Sequence, residues 1–442
     1  MKNRILRSCA LCLLAIVMCA QTAARAYAAP VDPDGAATKE NVLEVLRQYD
    51  VDAYHIMKTE SDKGTSFLSW FAGKSLISGM DTAVHETYHG YTYAQGYQKM
   101  IYIGDGMGYR MSWSAVGGSG NFVKSEEMAR QIPPQLRTFR YNTYIAPGNV
   151  VSANVQGAVG MLDEFSAYYW GLEVMNSLAR YMIDANAGAD AWKIYASSIA
   201  NNMTAYAEFK YWTLRYMLYL RSANPAMYQA LLANKSYCAA YRDAEEAFAA
   251  EIGRSREIVN SSAAYLSAKG LSMEWSDSGV YLKTGRSSTG LGLGDYNLLM
   301  AELRTAEYVE MDSILKDAGA GAVPAYVTAF TDVPAGAWYA GPVAWADVHF
   351  ITNGATATTF APNQDCTHAQ ILTFLHRAAG EPDPSARYPG GVADVYAAAV
   401  NWAYGKGMIG GSFDPDAPCT RSQAVHYIWQ APAEIPDTRY SR

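Results

Sequence analysis

Val84-His85-Glu86-Thr87-Tyr88-His89-Gly90 sets two histidines four residues apart, with a glutamate directly after the first. On a helix, positions i and i+4 share a face, so both imidazoles can reach one metal ion. Glu86 sits one step round the same turn, within reach of a water at that metal. The flanking residues sort the same way. Ile77, Met80, Val84 and Tyr91 form an apolar stripe, and Ser78, Asp81, His85, His89 and Thr92 form a polar stripe beside it. The spacing predicts that residues 66–95 are largely helical, packed on the apolar stripe, with both histidines turned toward a cleft.

Two histidines need a third protein ligand. Position 95 is Gln, His55 lies upstream, and no Glu occurs between Gly90 and Ser125. Asp105 falls in a turn, and Glu126 and Glu127 read as the exposed start of a helix. The helical pattern from Gln156 to Ala185 carries two better candidates. Glu173 shares a stripe with Ser166, Asn176, Ser177 and Arg180, which reads as a solvated face. Glu164 shares one with Gly160, Ala167, Tyr168, Gly171 and Met175. A carboxylate there is desolvated at roughly several kcal/mol unless a cation neutralises it. Glu164 is therefore the expected third ligand.

An HExxH helix followed by a Glu on a later helix resembles the gluzincin group of zinc metallopeptidases. The resemblance implies an α+β fold, mostly helical, with a small β portion in a zincin-like catalytic domain over residues 29–317. It implies Zn2+ as cofactor, with His85, His89 and Glu164 as ligands and Glu86 as general base for hydrolysis of a peptide or protein substrate. This chain departs from the pattern at Tyr168, where such families often carry an Asp. Asp163 and Asp81 are alternative carboxylates for orienting the histidines, and Tyr141 and Tyr144 are possible oxyanion donors. Two other functions fit the same residues: a non-catalytic surface binding protein with a degenerate metallopeptidase domain, or a zinc hydrolase acting on a cell-wall component.

The start of the 442-residue chain reads as an export signal over residues 1–28: Lys2, Arg4 and Arg7, an apolar run from Cys9 to Ala20, then Ala26-Tyr27-Ala28. No stretch beyond it is long and apolar enough to span a bilayer. Of 35 Lys and Arg, four lie up to Arg25, leaving 31 against 42 Asp and Glu, a net charge of −11. An acidic exported protein is a poor nucleic-acid binder. Cys238, Cys366 and Cys419 remain after signal removal, an odd number that gives no full disulfide framework. In between, Tyr97–Trp113 reads as a β-hairpin turning at Gly104-Asp105-Gly106, and Phe139–Ile145 as a further strand. Helical patterns cover about 38–49, 189–219, 224–253 and 295–317, and the Gly- and Ser-rich Ser276–Gly294 reads as a loop bordering the cleft.

Ala318–Ala329 is rich in small residues and reads as a linker. A repeat follows. One copy runs from Phe330-Thr-Asp-Val through Trp345 to Phe360-Ala-Pro-Asn-Gln-Asp-Cys-Thr-His-Ala-Gln370; the other runs from Val392-Ala-Asp-Val through Trp402 to Phe413-Asp-Pro-Asp-Ala-Pro-Cys-Thr-Arg-Ser-Gln423. Repeats of about fifty residues are stacked units that share a core. These resemble S-layer homology modules, placed at 330–380 and 392–430. The resemblance implies all-α repeats that hold the protein on a bacterial cell wall by binding secondary cell-wall polysaccharide. Thr420 and Arg421, with Thr367 in the first copy, are the expected sugar-binding residues, since a helix N-terminus and a guanidinium both suit an anion; His368 takes the place of the Arg in the first copy. Cys366 and Cys419 hold equivalent places. Such positions seldom touch, so they are expected to be small core residues and not a disulfide.

Overall fold

The structure, a computed structural model, describes residues 31–93, 98–112 and 123–431. The expected export signal lies outside the described residues. The chain divides into two compact units, Val31–Pro362 and a second that begins at Asn363. It is mostly helical with two small antiparallel sheets, an α+β arrangement.

In the first unit, α1 (Lys39–Tyr49) and α2 (Val51–Asp62) precede α3 (Leu76–Tyr93), the helix of the two histidines. The Asp50 carboxylate accepts from the backbone N–H of Ala53 and so caps α2. The expected apolar stripe of α3 is fully buried. The hairpin follows as β1 (Gln98–Gly104) and β2 (Met107–Ser112). Asp105 and Gly106 both have positive φ, 53° and 72°, as a two-residue type I′ turn requires. Two short helices, α4 (Tyr141–Tyr144) and α5 (Ser152–Val155), lead into α6 (Gly157–Asp184) and α7 (Ala189–Ala223). Then come α8 (Pro225–Ala233), α9 (Lys235–Ser261) and α10 (Ala263–Ala268). A three-stranded meander, β3 (Leu271–Ser276), β4 (Gly279–Thr284) and β5 (Ser287–Gly292), precedes α11 (Gly294–Glu302) and α12 (Ala306–Ala318). The core lies where α6 crosses α3, α7 and α9, around the fully buried Trp170, Trp192 and Trp212.

Several expectations need correction. Phe139–Ile145 is not a strand. Its backbone turns into α4, because the Thr138 hydroxyl and the Arg140 backbone N–H both donate to the buried Glu208 carboxylate, at 2.7 and 2.9 Å. Ser276–Gly294 is not a loop but most of the meander. Gly290 is required there, since a Cβ would lie 1.9 Å from the Val280 carbonyl oxygen of the neighbouring strand. The stretch 318–329 is not a free spacer. Ala325–Tyr326 forms β6 and pairs with the edge of β2. The first copy of the repeat begins inside this same unit: α13 (Ala340–Val348) packs on α2, β2 and β6. His349 Nε2 meets Asp105 Oδ1 at 3.0 Å. Gly106 has no room for a Cβ, which would fall 2.8 Å from the Ala344 carbonyl oxygen.

The second unit holds α14 (His368–Ala378), α15 (Asp394–Gly405) and α16 (Arg421–Gln430). Its core joins Leu372 and Leu375 of α14 to Val400, Trp402 and Ala403 of α15. Cys366 and Cys419 are free thiols, but the equivalent positions do touch: the Cys419 backbone N–H donates to the Cys366 carbonyl at 2.9 Å. The segments before α14 and α16 run antiparallel there, with Thr367 opposite Pro418.

Candidate functional site

The polar stripe of α3 faces α6. Gly171 makes the approach possible, since a Cβ on it would stand 2.4 Å from Asp81 Oδ1. Against this face, His85 Nε2 and His89 Nε2 lie 3.3 Å apart, and Glu164 Oε2 sits 3.6 Å from the first and 3.4 Å from the second. The three residues predicted as ligands thus present three donor atoms in one triangle. A tetrahedral zinc bound at about 2.0–2.1 Å has donor–donor edges of about 3.3–3.4 Å, so the triangle fits that ion. A second observation agrees. Glu164 Oε2 is buried and accepts no hydrogen bond, although Oε1 receives the Ser152 hydroxyl at 3.3 Å. A buried carboxylate oxygen without a hydrogen bond, facing two imidazole nitrogens, is what a cation would satisfy.

The surroundings orient the set. His89 Nδ1 meets Asp163 Oδ2 at 2.9 Å. That bond places the proton of the neutral ring on Nδ1, so the neutral His89 presents its Nε2 lone pair to the triangle. Asp163 is itself held by Lys99 Nζ at 2.5 Å and by the Thr92 hydroxyl at 3.0 Å. Burial raises the Asp163 carboxyl pKa, but Lys99 and His89 outweigh it and bring it below the ordinary range. For His89, burial lowers the pKa, and Asp163 and Glu164 reverse this and carry it well above normal. For Glu164, burial raises the pKa, and the two histidines pull it far down. Asp81, the other orienting candidate, instead binds Ser198 and Asn202 of α7.

Glu86 is half-buried and has no hydrogen bond or ion pair among the described residues. Tyr168, four residues after Glu164, lies beside the triangle. Its ring lies edge-on to His85, with centroids 4.4 Å apart. Its hydroxyl accepts from Arg140 Nε at 3.0 Å and lies 3.0 Å from the Tyr144 hydroxyl. Arg140 pairs with the fully buried Glu208 at 2.8 Å. Sequence reasoning missed Lys99, Arg140 and Glu208. Only Lys99 left a trace, by standing two residues from the buried Ile101 and so on the same face of β1. The solvated face assigned to Glu173 is a correction too: Ser166, Asn176 and Ser177 are buried. Asn176 is satisfied inside the protein by Glu251, Tyr195 and Ser255.

In the repeats, Thr367 and Thr420 cap α14 and α16 through reciprocal bonds with Gln370 and Gln423. Their hydroxyls are thus engaged in T-x-x-Q capping boxes. The Arg421 side chain lies outside the described residues. His368 does not face an anion site: it is buried, and its Nδ1 meets the Tyr427 hydroxyl at 2.8 Å. A shallow groove of about 410 Å³ runs beside α16, lined by Ile409, Phe413, Ser422, Gln423 and His426 among others.

The sequence profile of the S-layer homology domain matches residues 329–372. No curated protein and no solved structure matches the chain. The domain marks the protein as attached to the bacterial cell surface or cell wall, and such domains bind cell-wall polysaccharide. No helix among the described residues is long and apolar enough to cross a membrane.

Proposed function

We propose that the chain is a wall-attached, zinc-dependent hydrolase that cleaves peptide bonds, with His85, His89 and Glu164 holding the metal. The observation that carries this reading is the triangle of donor atoms, with a buried Glu164 oxygen that accepts no hydrogen bond. Zinc, when bound, supplies a Lewis acid that polarises a carbonyl and acidifies water. Glu86, unengaged beside His85, takes the proton of the attacking water and delivers it to the leaving amine. Asp163 keeps His89 in the ligating tautomer, and Lys99 keeps Asp163 ionised. Arg140 fixes the hydroxyl of Tyr168, whose ring in turn fixes the plane of His85.

Metal analysis of the purified chain tests the reading first. About one equivalent of zinc is expected, falling below about half in His85→Ala. A zinc-free wild type, or metal content indifferent to that substitution, sinks the proposal. Glu86→Gln should then keep the metal and lose about 10²–10⁴-fold in peptide hydrolysis; full activity would remove Glu86 from its role. Sedimentation with purified cell walls, with Arg421→Ala as the comparison, tests whether Arg421 contributes to attachment.

A further inference from the structure

The two copies of the repeat treat equivalent residues in opposite ways. In α14, Leu372, Leu375 and His376 are 0 %, 8 % and 6 % exposed. They are covered by α15, whose Trp402 packs against His376 with ring centroids 5.4 Å apart. The equivalent residues of α16, counted from the capping threonines Thr367 and Thr420, are Val425, Ile428 and Trp429. These are 62 %, 52 % and 73 % exposed. The three lie on one helical stripe, at i, i+3 and i+4. Among the described residues, the same packing position is thus filled in one copy and open in the other, and the filled copy displays what fills it. The occupant is the first helix of a repeat, carrying the Val400-x-Trp402-Ala403 pattern of α15.

This chain has a second helix of that kind. α13 carries Val343-x-Trp345-Ala346 at the same spacing. Whereas Trp402 is fully buried, Trp345 is only half-buried, resting on His349. We propose that the open face of α16 is an assembly surface that takes α13 from a second copy of this chain, Trp345 seating against Val425, Ile428 and Trp429 as Trp402 seats on α14. Such a contact is heterologous, so it builds a ring or an open row of molecules. One helix face buries less than the roughly 1,200 Å² of a standard interface, so association is weak and depends on the crowding that a wall surface supplies. The inference does not depend on the hydrolase reading.

Sedimentation velocity on the full chain over a wide concentration range is the test. The average mass should rise with concentration, and Trp429→Asp or Ile428→Asp should hold the chain at monomer mass. Because either substitution could unfold the second unit, a cross-link supplies an independent measurement. Chains carrying W345C and chains carrying W429C, each with C366S and C419S, are purified separately, mixed and oxidised. A disulfide dimer that forms in the mixture and in neither sample alone is the expected result. The proposal is overturned if the wild type stays monomeric at every concentration and the mixture yields no such dimer. It also falls if W345C and W429C in one chain close on themselves with no intermolecular product. The same holds if deleting residues 432–442 sharply increases quenching of Trp429 fluorescence, since the following segment would then be the occupant.

Discussion

At the scale of single residues, Asp163 is the hinge of the candidate site, because one carboxylate serves His89, Lys99 and Thr92. Asp163→Asn should weaken zinc binding about 10–100-fold, read by chelator competition. It also strands a buried ammonium, so stability should fall by about 3–5 kcal/mol in urea. Adding Lys99→Met should restore much of the stability and none of the affinity; recovery of both would make Asp163 a purely structural acid. A second acidic pair makes a prediction about pH. Burial raises the pKa of Asp50 to about 6, and it also raises that of Glu173, to which the nearby Asp50 adds like-charge repulsion. A raised carboxyl pKa stabilises the fold fully below the unfolded value of about 3.9, and that stabilisation is lost as pH rises through about 6. Glu173→Gln should therefore flatten the decline in urea midpoint between those values, and an unchanged slope would dismiss the pair as its source. The sequence exposed His85, Glu86, His89 and Glu164 because helical spacing and desolvation are local arguments. Lys99, Arg140 and Glu208 stayed hidden because each is a charge whose burial makes sense only beside a partner distant in sequence.

At the scale of elements, the site depends on how closely α3 and α6 approach. Gly171 contributes by lacking a side chain, so Gly171→Ala should push Asp81 away and spread the donor triangle without altering a ligand. A loss of at least tenfold in zinc affinity is expected, with stability lowered by about 1–3 kcal/mol for the overpacked contact. Affinity equal to wild type would mean the crossing is soft enough to absorb a methyl group. Helices were legible wherever an apolar stripe ran several turns, as in α1, α3, α6 and α7. The misses share one cause, tertiary partners that override local pattern. Residues 139–145 have the aromatic and β-branched content of a strand, but Glu208 draws two of the local donors into a turn. β5 is written in Ser and Gly, and its pairing with β4 explains glycine better than flexibility does.

At the scale of the whole molecule, the repeat boundary and the boundary between compact units do not coincide. The profile match starts at residue 329, yet α13 and the segment around it fold with the unit that carries the histidines. A chain ended at residue 317 should thus melt below one ended at 362, because it uncovers the faces of α2 and β2 that α13 and β6 protect. Equal melting temperatures would show those contacts to be dispensable. The sequence revealed the repeat but not this division, since periodicity counts residues and is blind to which neighbour a helix prefers. The arrangement has a mechanical consequence. Tension between the second unit and the rest of the chain enters the first unit at residue 362. Past the Asp332 carboxylate, which accepts from the backbone N–H groups of Phe360 and Ala361 at 2.8 Å, the load reaches two further contacts, the two-residue ladder of β6 on β2 and the His349–Asp105 pair. Both grip the hairpin whose β1 strand supplies Lys99 to Asp163. A pull on the second unit therefore reaches the ribbon whose Lys99 steadies His89 through Asp163.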